Sequence, residues 1–293
     1  MTTQVDHARI DQASGDQAAG VAPALIDLGG SAAGPGRRFA VPRWLRRISG
    51  PALLLILWAV SSQLGLLNRD LFPPPDQVAW AAIELTLSGQ LPTHVGWSML
   101  RVLQGSVLGI VLGVAVALAA GLTRIGEDLV DSTMQVLKAV PNFALTPLLI
   151  IWMGIGEEPK VLLITLGVAI AIYINTYGGI RAVDQQLVEM AQTVGVSRVT
   201  LISQVILPGA MPGFLVGLRL GLSSAWLSLI FAETINTTRG IGFLMSRAQT
   251  LLQFDVSVLI IILYAVFGLL SYAFVRLLEW QLLSWRNGFR GVA

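Results

Sequence analysis

Two arginines, Arg101 and Arg219, stand inside long apolar runs, and their placement is the first hint of chemistry in this chain. Carrying a guanidinium to the centre of a membrane helix costs about 2.5 to 3.5 kcal/mol on insertion scales, so each must face a partner, an aqueous path or an interface. On an aqueous path the planar fork of donors suits a small oxyanion. The alternative is structural, with the side chain snorkelling or pairing with a carboxylate at a span end. Arg101 falls near the outer end of its run and Arg219 deeper. Other chemistry is scarce. The chain has no Cys, and His7 and His94 are its two histidines; disulfides, thiol nucleophiles, iron–sulfur clusters and a histidine metal cluster within one chain are thereby excluded. Its two lysines, Lys138 and Lys160, follow Leu137 and Pro159, so the sequence contains no Gly-Lys-Ser/Thr loop to cradle nucleotide phosphates. No cofactor is expected, and no catalytic constellation is visible. A formal net charge of +2 gives no basic footprint for nucleic acid.

The elements that would position these residues follow from composition. Of 293 residues 54% are apolar and 12% charged, with a mean hydropathy of +0.72, whereas soluble domains carry about 25% charge. The solvent of most of this chain is lipid. Six stretches approach the ~20 residues needed to cross a hydrocarbon core, at about 48–67, 98–121, 136–153, 160–180, 210–232 and 256–278. Their apolar residues run continuously instead of alternating, which points to helices and away from a barrel. The expected fold is an all-α integral membrane protein of six helices. Pro141, Asn142 and Pro147 interrupt the third stretch, which is tolerable only where protein or a cavity covers the freed backbone groups.

Residues 1–36 are rich in Ala, Gly, Asp and Gln and cannot bury enough surface to offset ordering entropy. They read as a disordered cytoplasmic tail, followed by a transmembrane domain over 37–293. The apolar run after Arg37, Arg38, Arg43, Arg46 and Arg47 begins too late for a cleaved signal peptide, and reads as an uncleaved anchor. With the N-terminus inside, thirteen basic residues fall in cytoplasmic segments, Lys138 among them. Four fall outside (Arg69, Lys160, Arg239 and Arg247), and Arg101 and Arg219 lie within spans. The positive-inside rule then puts both termini in the cytoplasm.

The loop at about 181–209 is disproportionately long. Leu187, Val188, Ala191 and Val194 recur at helical spacing among Asp184, Gln185, Glu189 and Gln192, which predicts a short amphipathic helix. Gly195 would end it as the left-handed residue. A second helical turn from about Val199 is expected to break at Pro208 and Pro212 before the fifth span.

This segment reads Glu189, Met190, Ala191, three residues, Gly195, nine residues, then Val205, Ile206, Leu207, Pro208. It resembles the "EAA" loop of binding-protein-dependent ABC importer permeases, with Met190 and Val205 as conservative departures. Tyr173–Thr176, Gly179–Arg181, Leu187–Ala191, Val205–Ala210, Ala232–Ile235 and Gly240–Leu244 look like the permease subunit of aliphatic sulfonate importers, a group that also holds taurine and nitrate importers. The resemblance covers about 45–290. It implies a non-catalytic permease of the bacterial inner membrane, a separate ABC ATPase gripping the loop, an extracytoplasmic solute-binding protein and a homodimer with the path on its two-fold axis. Under it, Glu189, Met190, Ala191, Gly195, Val205, Leu207 and Pro208 couple to the ATPase, and Arg219 and Arg101 are candidates for an anion path. The bland alternative for the loop, a helix lying on the membrane surface, normally shows Lys or Arg on its polar face; this one shows neither.

A self-contained carrier or channel is the rival class. None of the six stretches holds Asp, Glu or His, the usual material of a proton relay, although sodium sites built from backbone carbonyls escape this test. Gly105, Gly109 and Gly113 recur every four residues and predict close helix packing, within the chain or between copies. Trp44, Trp58, Trp97, Trp280 and Trp285 sit near span ends as interfacial anchors. The segment Leu71–Thr93, opening on Pro73–Pro75, is expected outside, as a docking surface for the binding protein or a helix capping the bundle.

Overall fold

The computed structural model describes residues 43–283 except 67, 70, 124, 125 and 236, and gives the side chains from residue 49 onward. The expected tail, with Arg37, Arg38 and Trp285, lies outside the residues so described. Two compact units divide the chain at Gly50. The described part of the first is the opening of helix α1 (Arg43–Gln63); the second, from Pro51, holds everything below.

Among the described residues there is no strand. After α1 come α2 (Pro75–Leu87), α3 (Gln90–Leu122), α4 (Glu127–Ala139), α5 (Asn142–Met153), α6 (Glu158–Arg181), α7 (Gln185–Thr193), α8 (Arg198–Thr234), α9 (Ile241–Thr250) and α10 (Phe254–Leu282). Four of these, α3, α6, α8 and α10, are long and apolar enough to cross a membrane, and α4 with α5 passes as a fifth bent by 86°. The expected count of six is thus met by four or five. The apolar part of α1, Ser49–Gln63, is too short by itself. Its early end has a local cause: Gly65 adopts φ +69°, and the Leu66 amide reaches back to Ser61 O (3.0 Å), closing the helix where the sequence predicted four more residues.

Helix α6 is the centre of the bundle, packed between α3 and α8. The glycine row of α3 explains one side. A Cβ on Gly105, Gly109 or Gly113 would fall 2.5–2.9 Å from Ile164, Val168 or Ile172 of α6, so hydrogen side chains let the two backbones approach. On the other side Gly213 lies against Asn175 and Gly179. Between them Val102, Val168, Ile172, Leu215, Leu229 and Val275 form the main core. Outward faces stay apolar and uncovered, as at Leu103, Val111, Leu269 and Leu277, which suits a lipid surround.

One expectation about backbone is corrected. Pro208 and Pro212 do not break the chain before the fifth span; α8 runs through both as a 37-residue helix. A π-turn at Ile202–Ile206 precedes Pro208, and the Leu207 amide donates to Ile202 O. That wider turn makes room for a ring that would clash with a regular preceding turn.

Candidate functional site

Three polar constructions interrupt the apolar bundle. The first is the handle, α7. Asp184 caps its start, accepting from the Gln186 amide at 2.9 Å. Its end is a complete left-handed stop: Gly195 has φ +80°, its amide donates to Gln192 O, and the Val196 amide to Ala191 O. None of its residues is buried. Leu187, Met190 and Val194 make an open apolar stripe, with Val199 beyond the turn. Glu189 accepts from Gln185 within the helix, Ala191 is half-buried, and Val205, Leu207 and Pro208 lie in the π-turn and opening of α8. The short helix α7 is thus joined to the start of the 37-residue helix α8 by the turn at Gly195.

The second is a buried charge cluster at the Glu158 end of α6. Arg101 is 2% exposed, so it does not snorkel. Its Nε and Nη2 donate to Glu157 (2.5 and 2.8 Å), and its Nη1 donates to Glu233 Oε1 and Arg239 O (both 2.6 Å). Glu233 accepts in addition from Ser98 Oγ and the Gly242 amide, while Ser98 accepts from the Ile241 amide and His94 Nδ1 from the Gly240 amide. Every polar atom of the pair has a partner, the condition under which a buried ion pair is tolerable. The Arg101 guanidinium beside Glu157 holds that carboxyl below the usual carboxylate range, helped by Lys160 and opposed by burial. Sequence reasoning placed Glu233 at a span end and His94 outside the spans; the helices run longer than the apolar stretches and carry both inside.

Arg219 is likewise engaged, in an ion pair with Glu279 of α10 and over the Tyr272 ring (5.3 Å). It sits on the α8–α10 side of the bundle, the arrangement given above as its structural alternative.

The third construction is the elbow between α4 and α5. Val140 is extended ahead of Pro141, as a pre-proline residue prefers. Asn142 then donates to Leu163 O (3.0 Å) and Ser228 Oγ (2.8 Å), tying the elbow to α6 and α8. Gly167 makes this possible, since a Cβ there would fall 2.6 Å from Ser224 Oγ and 2.8 Å from Asn142 Nδ2. A cleft of about 460 Å³ opens beside the elbow, lined by Lys138, Asn142, Asn175 and Ser224 among apolar residues of α6 and α8. The proline-interrupted stretch is thus tied to the bundle through Asn142, while Val140, Pro141 and Phe143 stay exposed.

A bundle of four or five long apolar helices, one of them bent, with a short exposed amphipathic helix is the architecture of a multi-pass membrane protein. Comparison with known proteins agrees. Residues 105–282 match the family of binding-protein-dependent transport system inner membrane components, and the chain belongs to that family, the non-catalytic permeases of ABC importers whose ATP is hydrolysed by a separate subunit. It is 43% identical to a protein of Escherichia coli strain K12 named as an aliphatic sulfonates transport permease, SsuC, over 85% of this chain and 96% of that one. A Bacillus subtilis strain 168 protein of the same name is 40% identical, over 85% and 90%. The taurine transport system permease protein TauC of E. coli K12 is 33% identical, over 80% and 88%. Among solved structures, an amino acid ABC transporter shares the fold, with TM-score 0.54 at 16% identity, over 68% of this chain and 97% of that one.

Proposed function

We propose that this permease carries aliphatic sulfonates. The observation that carries the reading is the 40–43% identity, over nearly the whole length of the relatives, to two permeases named for that solute class. Taurine, itself an aminosulfonate, belongs to a more distant relative and is the second solute to test.

In this reading α7 is the handle. The separate ATPase takes the stripe of Leu187, Met190 and Val194, with Glu189 and Ala191 on the same short helix, Gly195 as the turn, and Val205, Leu207 and Pro208 as the stiff joint to α8. Both termini and the Arg181 end of α6 face the cytoplasm, which requires α1 (Arg43–Gln63) to cross as the sixth span. The solute-binding protein docks at the opposite end, near α2 and α9, and two copies form the path on their shared axis. ATP-driven closure of the ATPases draws the handles together and rocks α8; hydrolysis releases them.

The test is reconstitution. Permease, ATPase and binding protein in liposomes are expected to import ethanesulfonate only with ATP inside and binding protein outside. Import by the permease alone would defeat the proposal, and so would import confined to solutes without a sulfonate group.

A further inference from the structure

We infer that Lys138 is the cation that the anionic end of the solute meets partway across the membrane, in the cleft at the elbow of α4 and α5. The inference rests on the sulfonate reading above.

The position of Lys138 differs from the sequence expectation, which put it in a cytoplasmic segment. Helix α4 runs antiparallel to α6. At its start Glu127 bonds Tyr177 and pairs with Arg181, and one turn on Asp131 accepts from Tyr173. By Lys138 the chain has reached the level of Ile170, Ala171 and Ile174. Those residues lie 7 to 11 positions from Arg181, or roughly 10 to 16 Å at the helical rise. Lys138 therefore stands well inside the membrane thickness, where an ionisable residue is by default a functional candidate.

Lys138 is an exposed cation on the wall of the cleft, whereas the buried and half-buried cations of the bundle are each held by a carboxylate. Arg101 is matched by Glu157 and Glu233, Lys160 by Glu157, and Arg219 by Glu279. Lys138 has no ion pair among the described residues, and it is exposed to the cleft. The rest of the cleft offers both kinds of surface that a short alkanesulfonate needs. Asn175 and the Ser224 hydroxyl are its polar lining beside Lys138 and Asn142, and Leu137, Ile170 and Leu220 are among its apolar lining. A volume of about 460 Å³ is far more than the ~10–15 Å³ that one water needs on the same measure. A lysine ammonium is a single point charge on a flexible stem, unlike the bidentate arginine fork. Such weak, mobile attraction suits a site that must also let go.

The chain has no cysteine, so Ser224→Cys places a unique thiol in the cleft with Lys138 intact. In the assembled transporter, a negatively charged thiosulfonate reagent is expected to modify that thiol at least fivefold faster than a positively charged one of the same size, and ethanesulfonate is expected to slow the reaction. Adding Lys138→Gln should abolish the preference. In liposomes Lys138→Gln should import ethanesulfonate at least tenfold more slowly than the parent, with the ATPase still co-purifying, and Lys138→Arg should stay within about threefold. Equal reactivity toward both reagents with Lys138 present, or import by Lys138→Gln within twofold of the parent, overturns the inference. A parent complex that imports no sulfonate overturns the underlying reading and the inference with it, an outcome distinct from a loss confined to the Lys138 variants.

Discussion

Arg101 Nη1 and Glu233 Oε1 lie 2.6 Å apart although 132 positions separate them in the chain. One is 2% exposed and the other 1%. This contact joins α3 to α8 at the Glu158 end of α6, and through the Gly242 amide and the Arg239 carbonyl it also fixes the loop and start of α9. Removing Arg101 leaves the buried Glu233 without a counter-charge, and removing the Glu233 charge leaves Arg101 with Glu157 alone. Such losses cost about 3–5 kcal/mol. Arg101→Met and Glu233→Gln are each expected to lower the melting temperature of the detergent-purified protein sharply. The double variant should lose less than the sum of the two. Strict additivity would mean that the pair does not act as a unit.

The glycine row of α3 makes a second prediction. A Cβ on Gly109 would lie 2.6 Å from Val168 Cβ and 2.8 Å from Thr165 O, the second being backbone that cannot turn aside. Gly109→Val must part α3 from α6, with an overpacking cost of about 1–3 kcal/mol. Gly178→Ala, with open space around its position, is the control and should melt near the parent. The measurement is the thermal unfolding midpoint of each variant.

How much of this could be read in the sequence depends on how local the cause was. The stop at Gly195 was legible because a left-handed glycine after an amphipathic run is a local signal. The glycine row of α3 was legible because spacing alone sets one helix face. The elbow was legible as an interruption at Pro141 but not as a bend of 86°, since Asn142 takes its partners from Leu163 and Ser228, far along the chain. The charge cluster was half visible. Arg101 demanded a partner, yet nothing local distinguishes Glu157 and Glu233 from carboxylates in loop water. Lys138 falls within the third apolar stretch, 136–153, yet counts with the cytoplasmic basic residues because that stretch begins only two positions earlier, whereas the helix itself begins at Glu127. Likewise, Pro208 predicted a break because a π-turn has no composition signal.

Acid should loosen the cluster from its exposed edge. Glu157 is held below the ordinary glutamate value by its hydrogen bonds to Arg101 and by Lys160. Its folded form therefore binds its proton less readily than the unfolded chain, which titrates near 4.3. A depressed folded value gives stability that is full above the unfolded value and is lost as pH falls through the folded one. The melting difference between the parent and Glu157→Gln is thus expected to be constant from pH 6 to 7.5 and to shrink below about pH 4.3. A difference that grows on acidification would mean that the carboxylate is not stabilised by the arginine.

The handle gives the most direct test of coupling. Gly195 has φ +80°, and a Cβ there would meet nothing within 4 Å, so substitution acts through backbone strain and charge and not through collision. A β-branched residue is a poor occupant of that conformation, with a cost of roughly 1–2 kcal/mol confined to one exposed turn. Gly195→Val is therefore expected to stay folded in the membrane, yet to lose at least tenfold in import, because the angle between α7 and α8 is what an ATPase would pull on. Gly195→Asp adds a charge beside the open stripe of Leu187, Met190 and Val194 and should lose as much. Gly195→Asn, which accepts the left-handed conformation with least strain and carries no charge, should keep most of the activity. The readouts are import of ethanesulfonate into liposomes and co-purification of the ATPase. If Gly195→Val and Gly195→Asp both import at the parent rate with the ATPase bound, the handle does not transmit force through this turn.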